Sequence, residues 1–274
     1  MKYIYGKNVF ITGGSSGIGL ATAELFAENG YKVFSASRNP AQDIRKFDSG
    51  GEIHPVKLDV RDMGSIDDAA KSVLEQADIG IIIHSAGIGI ACAGEEYPAD
   101  AVADLMETNF TGVLRVNSLF LPHLRNRGCG FCVIVGSVAG IFPIPYQSHY
   151  CASKAALDLY SGALRMELHS FGLNVSLVMP GDTNTGFTGV RRYLTEKTSP
   201  FYNDCIRAVK KMENDERSGY PPVSAAKTIL KLCSSKNPPA RKVVGVDYKM
   251  LTFIQRLLPD KTIMYLLRKV YLKK

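Results

Sequence analysis

Seven short apolar runs rich in β-branched residues recur along the chain: "NVFIT" (8–12), "KVFSAS" (32–37), "IHPVKL" (53–58), "IGIIIHSAG" (79–87), "CVIVGS" (132–137), "NVSLVMP" (174–180) and "KVVGV" (242–246). Their length and composition predict buried strands. Between most of them lie amphipathic stretches of helical length, such as Gly17 to Asn29 and Gly162 to Ser170. Strands alternating with helices imply an α/β fold, a doubly wound parallel sheet covered on both faces. In such folds ligands sit beyond the carboxyl ends of the strands, and two long insertions, Val138 to Ser148 and Gly181 to Ser199, follow late strands. With 274 residues, 46% of them hydrophobic, the chain can bury one full core, and no internal repeat or linker divides it.

The pattern changes near the end. Leu251, Ile254, Leu257 and Leu258 form one helical stripe; beyond Pro259, Ile263, Leu266, Leu267, Val270 and Tyr271 form another, flanked by Arg268, Lys269, Lys273 and Lys274. Residues 1–246 are therefore read as the α/β domain and 247–274 as a basic amphipathic helical tail. Charge sharpens this division. The formal net charge is +7, and residues 241–274 carry nine Lys or Arg against two Asp, so the remainder of the chain balances to zero. A nucleic-acid enzyme would carry basic and aromatic residues around its site, so no nucleic-acid partner is expected. The tail helices have two uses open to them: capping the substrate mouth and a subunit interface, or resting on an anionic membrane surface. Packing is favoured, because helices packed on a core are commoner than monotopic anchors.

Six scattered cysteines in a domain of this size suit a reducing compartment. Cys129 and Cys132 form one CxxC without a second pair or clustered histidines, so no metal is expected. The opening "MKYIYGKNVFITGG" has no apolar signal region, and the chain has no run of 18 uninterrupted apolar residues. The expectation is a cytoplasmic protein, with peripheral membrane contact through the tail left open.

Candidate chemistry begins after the first strand, at "TGGSSGIG", Thr12 to Gly19. Gly13, Gly17 and Gly19 permit a tight turn and close backbone approach, and the helix that follows points free N–H groups at a pyrophosphate. The second strand ends "SASRN". A site for NAD would place a carboxylate there for the ribose hydroxyls; Ser37 and Arg38 instead suit a 2′-phosphate, so the expected cofactor is NADP(H). Farther on, "HYCASKAALDLY" places Tyr150 and Lys154 four apart on one helical face, separated by small residues.

Together these residues resemble the short-chain dehydrogenase/reductase family over roughly Lys7 to Val246. The match comprises TGxxxGxG, "LDV" at 58–60, Asn109 in "ETNFTG", Ser137 closing a strand thirteen residues before Tyr150, YxxxK, and Pro180-Gly181. One departure is "HSAG", His84 to Gly87, where the family has NNAG; support for that turn is expected from Ser85, His84 or water. The resemblance implies a single-domain, Rossmann-like sheet of seven parallel strands and an NADP(H)-dependent oxidoreductase. It also implies Tyr150 as the proton donor and Lys154 as its electrostatic support and the ligand of the nicotinamide ribose. Ser137 would hold the substrate oxygen, and Asn109 a water linking Lys154 to solvent. Lys154 and the positive nicotinamide of the oxidised cofactor are expected together to stabilise the phenolate and lower the phenol's pKa. Cofactor contacts implied in the same way are Ser15, Ser16 and Ile18 in the phosphate turn, Asp59 and Val60 at the adenine, Ser85, Ala86 and Gly87, and Thr183 with Thr185 beside the nicotinamide. The two threonines fit equally well as plain turn formers after Pro-Gly. His149 is read as a wall residue.

Apolar loops at 88–94, 138–147 and 186–190 suit a small hydrophobic ketone or secondary alcohol as substrate. The resemblance is to members acting on steroids, bile acids, retinoids or sphingoid bases, with a hydroxysteroid dehydrogenase as the first reading. A 3-oxoacyl or 3-ketosphingoid reductase is its rival. A catalytically silent NADP(H)-binding regulator is a remote alternative, disfavoured because the serine, tyrosine and lysine are all present. A homodimer or homotetramer is implied.

Overall fold

A computed structural model describes residues 3–272, so Lys273 and Lys274 of the tail stripe lie outside the described residues. The strands and helices alternate: β1 (Asn8–Thr12), α1 (Gly17–Glu28), β2 (Lys32–Ser37), β3 (Arg45–Lys46), β4 (Glu52–Lys57), α2 (Met63–Gln76), β5 (Ile81–His84) and β6 (Ile90–Ala91). Next come α3 (Ala99–Met106), α4 (Gly112–Arg127), β7 (Gly130–Val135), α5 (Ser148–Glu167), β8 (Leu173–Met179) and β9 (Arg192–Tyr193). The chain continues through α6 (Tyr202–Arg217), α7 (Pro222–Cys233), β10 (Arg241–Val243), α8 (Val246–Gln255) and α9 (Asp260–Tyr271).

The main sheet runs β10-β8-β7-β5-β1-β2-β4-β3. Seven strands are parallel, and β3 adds a short antiparallel edge through Arg45 opposite Ile53 and Lys46 opposite Glu52. That two-residue strand is exposed and charged, so it lacks the apolar run that marks the other seven, and it blunts the sheet edge. A separate pairing of β6 with β9 ties the loop after β5 to the loop after β8.

Both faces of the parallel sheet are covered, which is why its strands read as continuous apolar runs rather than alternating ones. On one side Phe26 and Tyr31 pack with Val9, Ile81 and, from α7, Ile229. On the other, α2 and α4 bury Ile66, Val73 and Phe120 against Phe10 and Ile82. Phe10 and Phe120 stack with centroids 4.3 Å apart.

The strand order reverses between β5 and β1, so the loops leaving their carboxyl ends face one crevice. Those loops touch. A Cβ on Gly13 would lie 2.6 Å from the Ala86 nitrogen, and one on Gly19 would lie 2.1 Å from the Gly13 carbonyl oxygen. Only glycine allows this approach, and Gly13 also has φ +70°.

Candidate active site

The glycine turn delivers α1 with its first N–H groups free. Ser16 is the N-cap but makes no side-chain cap bond, and no acidic residue occupies the first turn. That combination favours an anion at the helix start. Ser15 and Ser16 are exposed there, whereas Ile18 turns its side chain toward the core, leaving its backbone N–H for any ligand. Across the turn, Thr185 lies 3.5 Å from where a Cβ of Gly17 would stand, so the loop after β8 reaches the glycine turn. Thr183 sits differently: its hydroxyl donates to the Gly181 carbonyl at 2.9 Å.

At the end of β2, the Ser37 hydroxyl is buried without a partner, and Arg38 next to it is exposed. Asp59 and Val60 follow β4. Val60 packs tightly on Gly112, and the Asp59 carboxylate is gripped by Arg61 through Nε at 3.0 Å and Nη2 at 2.7 Å. This bidentate pair holds the Asp59 carboxyl below the usual range. Arg61 also reaches Asp104 at 2.6 Å.

The turn 85–87 is braced otherwise than expected. His84 points away from it, with Nε2 carrying the proton to Asn117 Oδ1 at 2.9 Å, while Nδ1 is buried and unpaired. Burial depresses its pKa to about 4, so the ring is neutral. Ser85 contributes its backbone N–H, which donates to the Thr12 carbonyl at 3.1 Å. Asn109 clamps the next residue: its Oδ1 accepts from the Ile88 N–H at 2.8 Å and its Nδ2 donates to the Ile88 carbonyl at 3.0 Å. A one-turn π-helix over Glu107–Thr111, between α3 and α4, carries this buried asparagine. Such π-turns frequently mark functional positions in otherwise α-helical segments.

Gly87, Asn109 and Lys154 converge. A Cβ on Gly87 would stand 3.3 Å from Asn109 Oδ1 and 3.8 Å from Lys154 Nζ. Lys154 is only 6% exposed and donates to the Val135 carbonyl at 3.1 Å. Ser137, just past β7, caps a 3₁₀ turn by accepting from the Ala139 N–H at 3.1 Å. Ser137 also favours the ionised form of the Tyr150 phenol. His149 packs on Tyr97 with ring centroids 3.7 Å apart.

The phenol's pKa departs from expectation. Burial drives Tyr150 up to about 12, with Ser137 opposing, and Lys154 is not among the groups that lower it. The ammonium lies 5.8 Å from the ring centroid and is committed to Val135, so desolvation wins. By this chain's own groups, Tyr150 is a protonated acid across the neutral range.

Lys154 is itself depressed to about 8 by burial. A buried ammonium destabilises the folded state wherever it is charged. Lys154→Met is therefore expected to raise the melting temperature of the cofactor-free protein relative to wild type. The gain should be full below pH 8, shrink as the lysine deprotonates, and vanish near the unfolded pKa of 10.5. Melting curves of both proteins from pH 7 to 10.5 check this, and a gain that grows with pH would contradict it.

Several site residues carry no local sequence signal. Arg191 has a side chain 1% exposed and pairs with Glu216 on α6, which also accepts from Thr188 at 2.6 Å. Among the described residues, Arg191 Nε and Nη1 have no partner. The guanidinium lies 5.9 Å from the Phe187 ring, which in turn lies 6.0 Å from the Tyr150 ring. In the sequence Arg191 is one of two adjacent arginines in a loop, and Arg192 is exposed. Nothing local distinguishes them. Tyr248 of α8 is similar: its ring occupies the space a Cβ on Gly181 would fill, and its hydroxyl bonds Asp182.

Comparison with known proteins agrees with this arrangement. Residues 7–193 match the family model described as short chain dehydrogenase. A 3-ketodihydrosphingosine reductase of Bacteroides thetaiotaomicron is 36% identical over 267 residues, covering 96% of this chain and 97% of that enzyme. The 17-beta-hydroxysteroid dehydrogenase type 1 of Homo sapiens is 34% identical over 189 residues, covering 65% of this chain and 57% of the human protein. Among solved structures, a short-chain dehydrogenase from Streptomyces avermitilis superposes with a TM-score of 0.78 at 27% identity, over 92% of this chain and 94% of that one. The chain belongs to the short-chain dehydrogenase family and is an oxidoreductase of that family.

Proposed function

We propose that the protein is an NADPH-dependent reductase of a ketone on a long-chain hydrophobic substrate, of the 3-ketosphingoid kind. The observation that carries the reading is the placement of Tyr150 and Lys154 together on α5, with the ammonium 5.8 Å from the phenol ring, beside the strand end that carries Ser137. A proton donor is what carbonyl reduction needs, because hydride addition leaves negative charge on the carbonyl oxygen.

The residues present fit a nicotinamide dinucleotide. The crevice between the Gly13 and Ala86 loops is lined by backbone that tolerates no Cβ, the α1 N-terminus is uncapped, and the Ser37 hydroxyl is orphaned where a ribose substituent would need a donor. Ser37 and exposed Arg38 would hold a 2′-phosphate; the N–H groups of Ser15 to Gly19 the pyrophosphate; Asp59 and Val60 the adenine. Ser85 to Gly87, Pro180-Gly181, Thr183 and Thr185 would enclose the nicotinamide end. When bound, the cofactor supplies the hydride. Tyr150 donates its phenolic proton to the developing alkoxide, and Ser137 donates a second hydrogen bond to the same oxygen. Lys154 would hold a ribose hydroxyl of the cofactor. Asn109, with both its amide groups engaged by Ile88, fixes the turn above Lys154 and would order the water that returns a proton.

One observation supports the lipid substrate: the sphingoid reductase matches 96% of this chain, whereas the human steroid enzyme matches 65% of it. A cavity of about 430 Å³ beside α5 has Ile141, Phe142, Ala155 and Ile263 in its wall; Ser137, Tyr150 and Lys154 do not line it. A hydroxysteroid dehydrogenase is the second reading, favoured by the human relative. NADPH oxidation with 3-ketodihydrosphingosine and with a panel of steroid ketones separates the two; turnover only of small polar carbonyls would defeat both.

Cofactor choice has its own test. Arg38→Asp replaces a charge-assisted bond worth about 1.5–3 kcal/mol with repulsion, so the KM for NADPH should rise roughly 10- to 100-fold. NADH use should improve. An unchanged NADPH/NADH preference would remove Arg38 from cofactor selection.

A further inference from the structure

The C-terminal helices turn apolar residues outward. Val246, Met250 and Phe253 of α8 fall at i, i+4 and i+7, one face of the helix, and are 76, 59 and 62% exposed; Leu257, in the turn that follows, is 68% exposed. The helix rests on the body by other positions, with Thr252 buried and Tyr248 laid on Gly181. Packing of the tail on the core or against a second subunit was the expectation, and within the chain α9 packs on the core only in part. Ile263 is buried with Leu267 and Tyr271 half-buried on its side, while Leu266 and Val270 of the same stripe are exposed, as are Met264 and Tyr265. Scattered exposed apolar residues are ordinary; a continuous stripe marks an interaction surface.

Charge identifies the occupant. The core of a protein interface is depleted in lysine and other charged residues. Here basic residues run alongside the apolar ones. Lys249 and Arg256 each stand three positions beyond a stripe residue of α8, and Lys261, Arg268 and Lys269 stand around Met264 and Tyr265. The Lys269 ammonium lies 4.4 Å above the Tyr265 ring. Opposing them on these helices are Asp247 and Asp260, both in first turns, and Asp247 is engaged by the Tyr220 hydroxyl at 2.9 Å. Apolar side chains beside long basic ones match acyl chains lying beneath anionic headgroups. No helix among the described residues is long and apolar enough to cross a membrane, so the contact is with the surface.

We propose that α8 and α9 dock the protein on the face of an anionic lipid bilayer. The cavity between α5 and α9 borders this face, since Met264 is both exposed and part of its wall. An apolar groove would thereby open next to the lipid. The docking does not depend on the identity of the substrate.

The test is sedimentation of the full chain with phosphatidylcholine vesicles, with and without phosphatidylglycerol. Binding is expected to be at least about tenfold stronger with the anionic lipid and to weaken with salt. Phe253→Glu with Leu257→Glu, and separately Lys249→Glu with Arg256→Glu, should each lower vesicle binding about tenfold or more. Both pairs lie at exposed positions, so melting temperatures should stay near wild type. Absence of binding to anionic vesicles, or binding that neither pair of substitutions reduces, would overturn the proposal. So would a wild-type oligomer that the Phe253/Leu257 pair converts to monomer in a protein that never binds vesicles, since that outcome assigns the face to a second copy.

Discussion

Tyr150→Phe is expected to fold, to bind NADPH with near wild-type affinity, and to reduce its ketone at least about a hundredfold more slowly. The substitution keeps the ring and removes one hydroxyl. Ser137 keeps its bond from the Ala139 N–H at 3.1 Å in the variant, so the structural cost stays at about 1 kcal/mol. The catalytic cost is of another order, because no other acid stands at that point. Lys154 is turned to Val135, and His149 packs at a tilt on Tyr97. Fluorescence titration of NADPH and single-turnover oxidation of the bound cofactor separate binding from chemistry. Near-normal turnover would take the proton-donor role away from Tyr150, and failure to bind NADPH would mean that the phenol shapes the cofactor site.

Glu216→Gln should destabilise the fold by about 3 kcal/mol, because it strands a guanidinium inside the protein. Arg191 has a side chain 1% exposed, and its Nε and Nη1 are already without partners, so Glu216 is the charge that compensates it. At roughly 2–4 °C per kcal/mol for a chain of this size, the melting temperature should fall by about 6–12 °C. The pair also pins the segment from Phe187 to Arg192, which lies over Tyr150 and is hydrogen-bonded through the Arg192 N–H to the Gly89 carbonyl at 3.2 Å. A raised KM should therefore accompany the lost stability. Arg191→Leu combined with Glu216→Leu should recover much of the stability, since removing both charges costs far less than removing one. A single substitution that melts like wild type would show that Arg191 finds water or another partner.

The order of the seven parallel strands and the helices between them was legible because the central strands are buried on both faces and so are written as apolar runs. The β3 edge and the β6–β9 pairing were not. Two-residue strands lack a periodicity, and their pairing is decided by loops that meet only in the folded chain. The positions that converge at the crevice were legible where spacing carries geometry. Gly13 and Gly19 stand where no Cβ fits, and Tyr150 and Lys154 share a face of α5 because i and i+4 always do. Their protonation was not legible. The sequence shows a lysine near a phenol and suggests a lowered pKa, whereas the fold surrounds both groups and raises the phenol to about 12. His84 illustrates the same limit: it looks like a prop for the adjoining turn, but the strand directs it to Asn117 on α4.

By itself, then, the amino-acid order determined what repeats along the chain: strand, helix, glycine turn, the YxxxK face, and a tail that is both apolar and basic. Only the tertiary structure decided what those features meet. It buried Arg191 beside Glu216, set Tyr248 on Gly181, and turned the stripe of α8 outward. The physical reason is range. Backbone periodicity and steric exclusion act over a few residues and are written locally, whereas desolvation and charge pairing depend on groups brought together from distant parts of the chain.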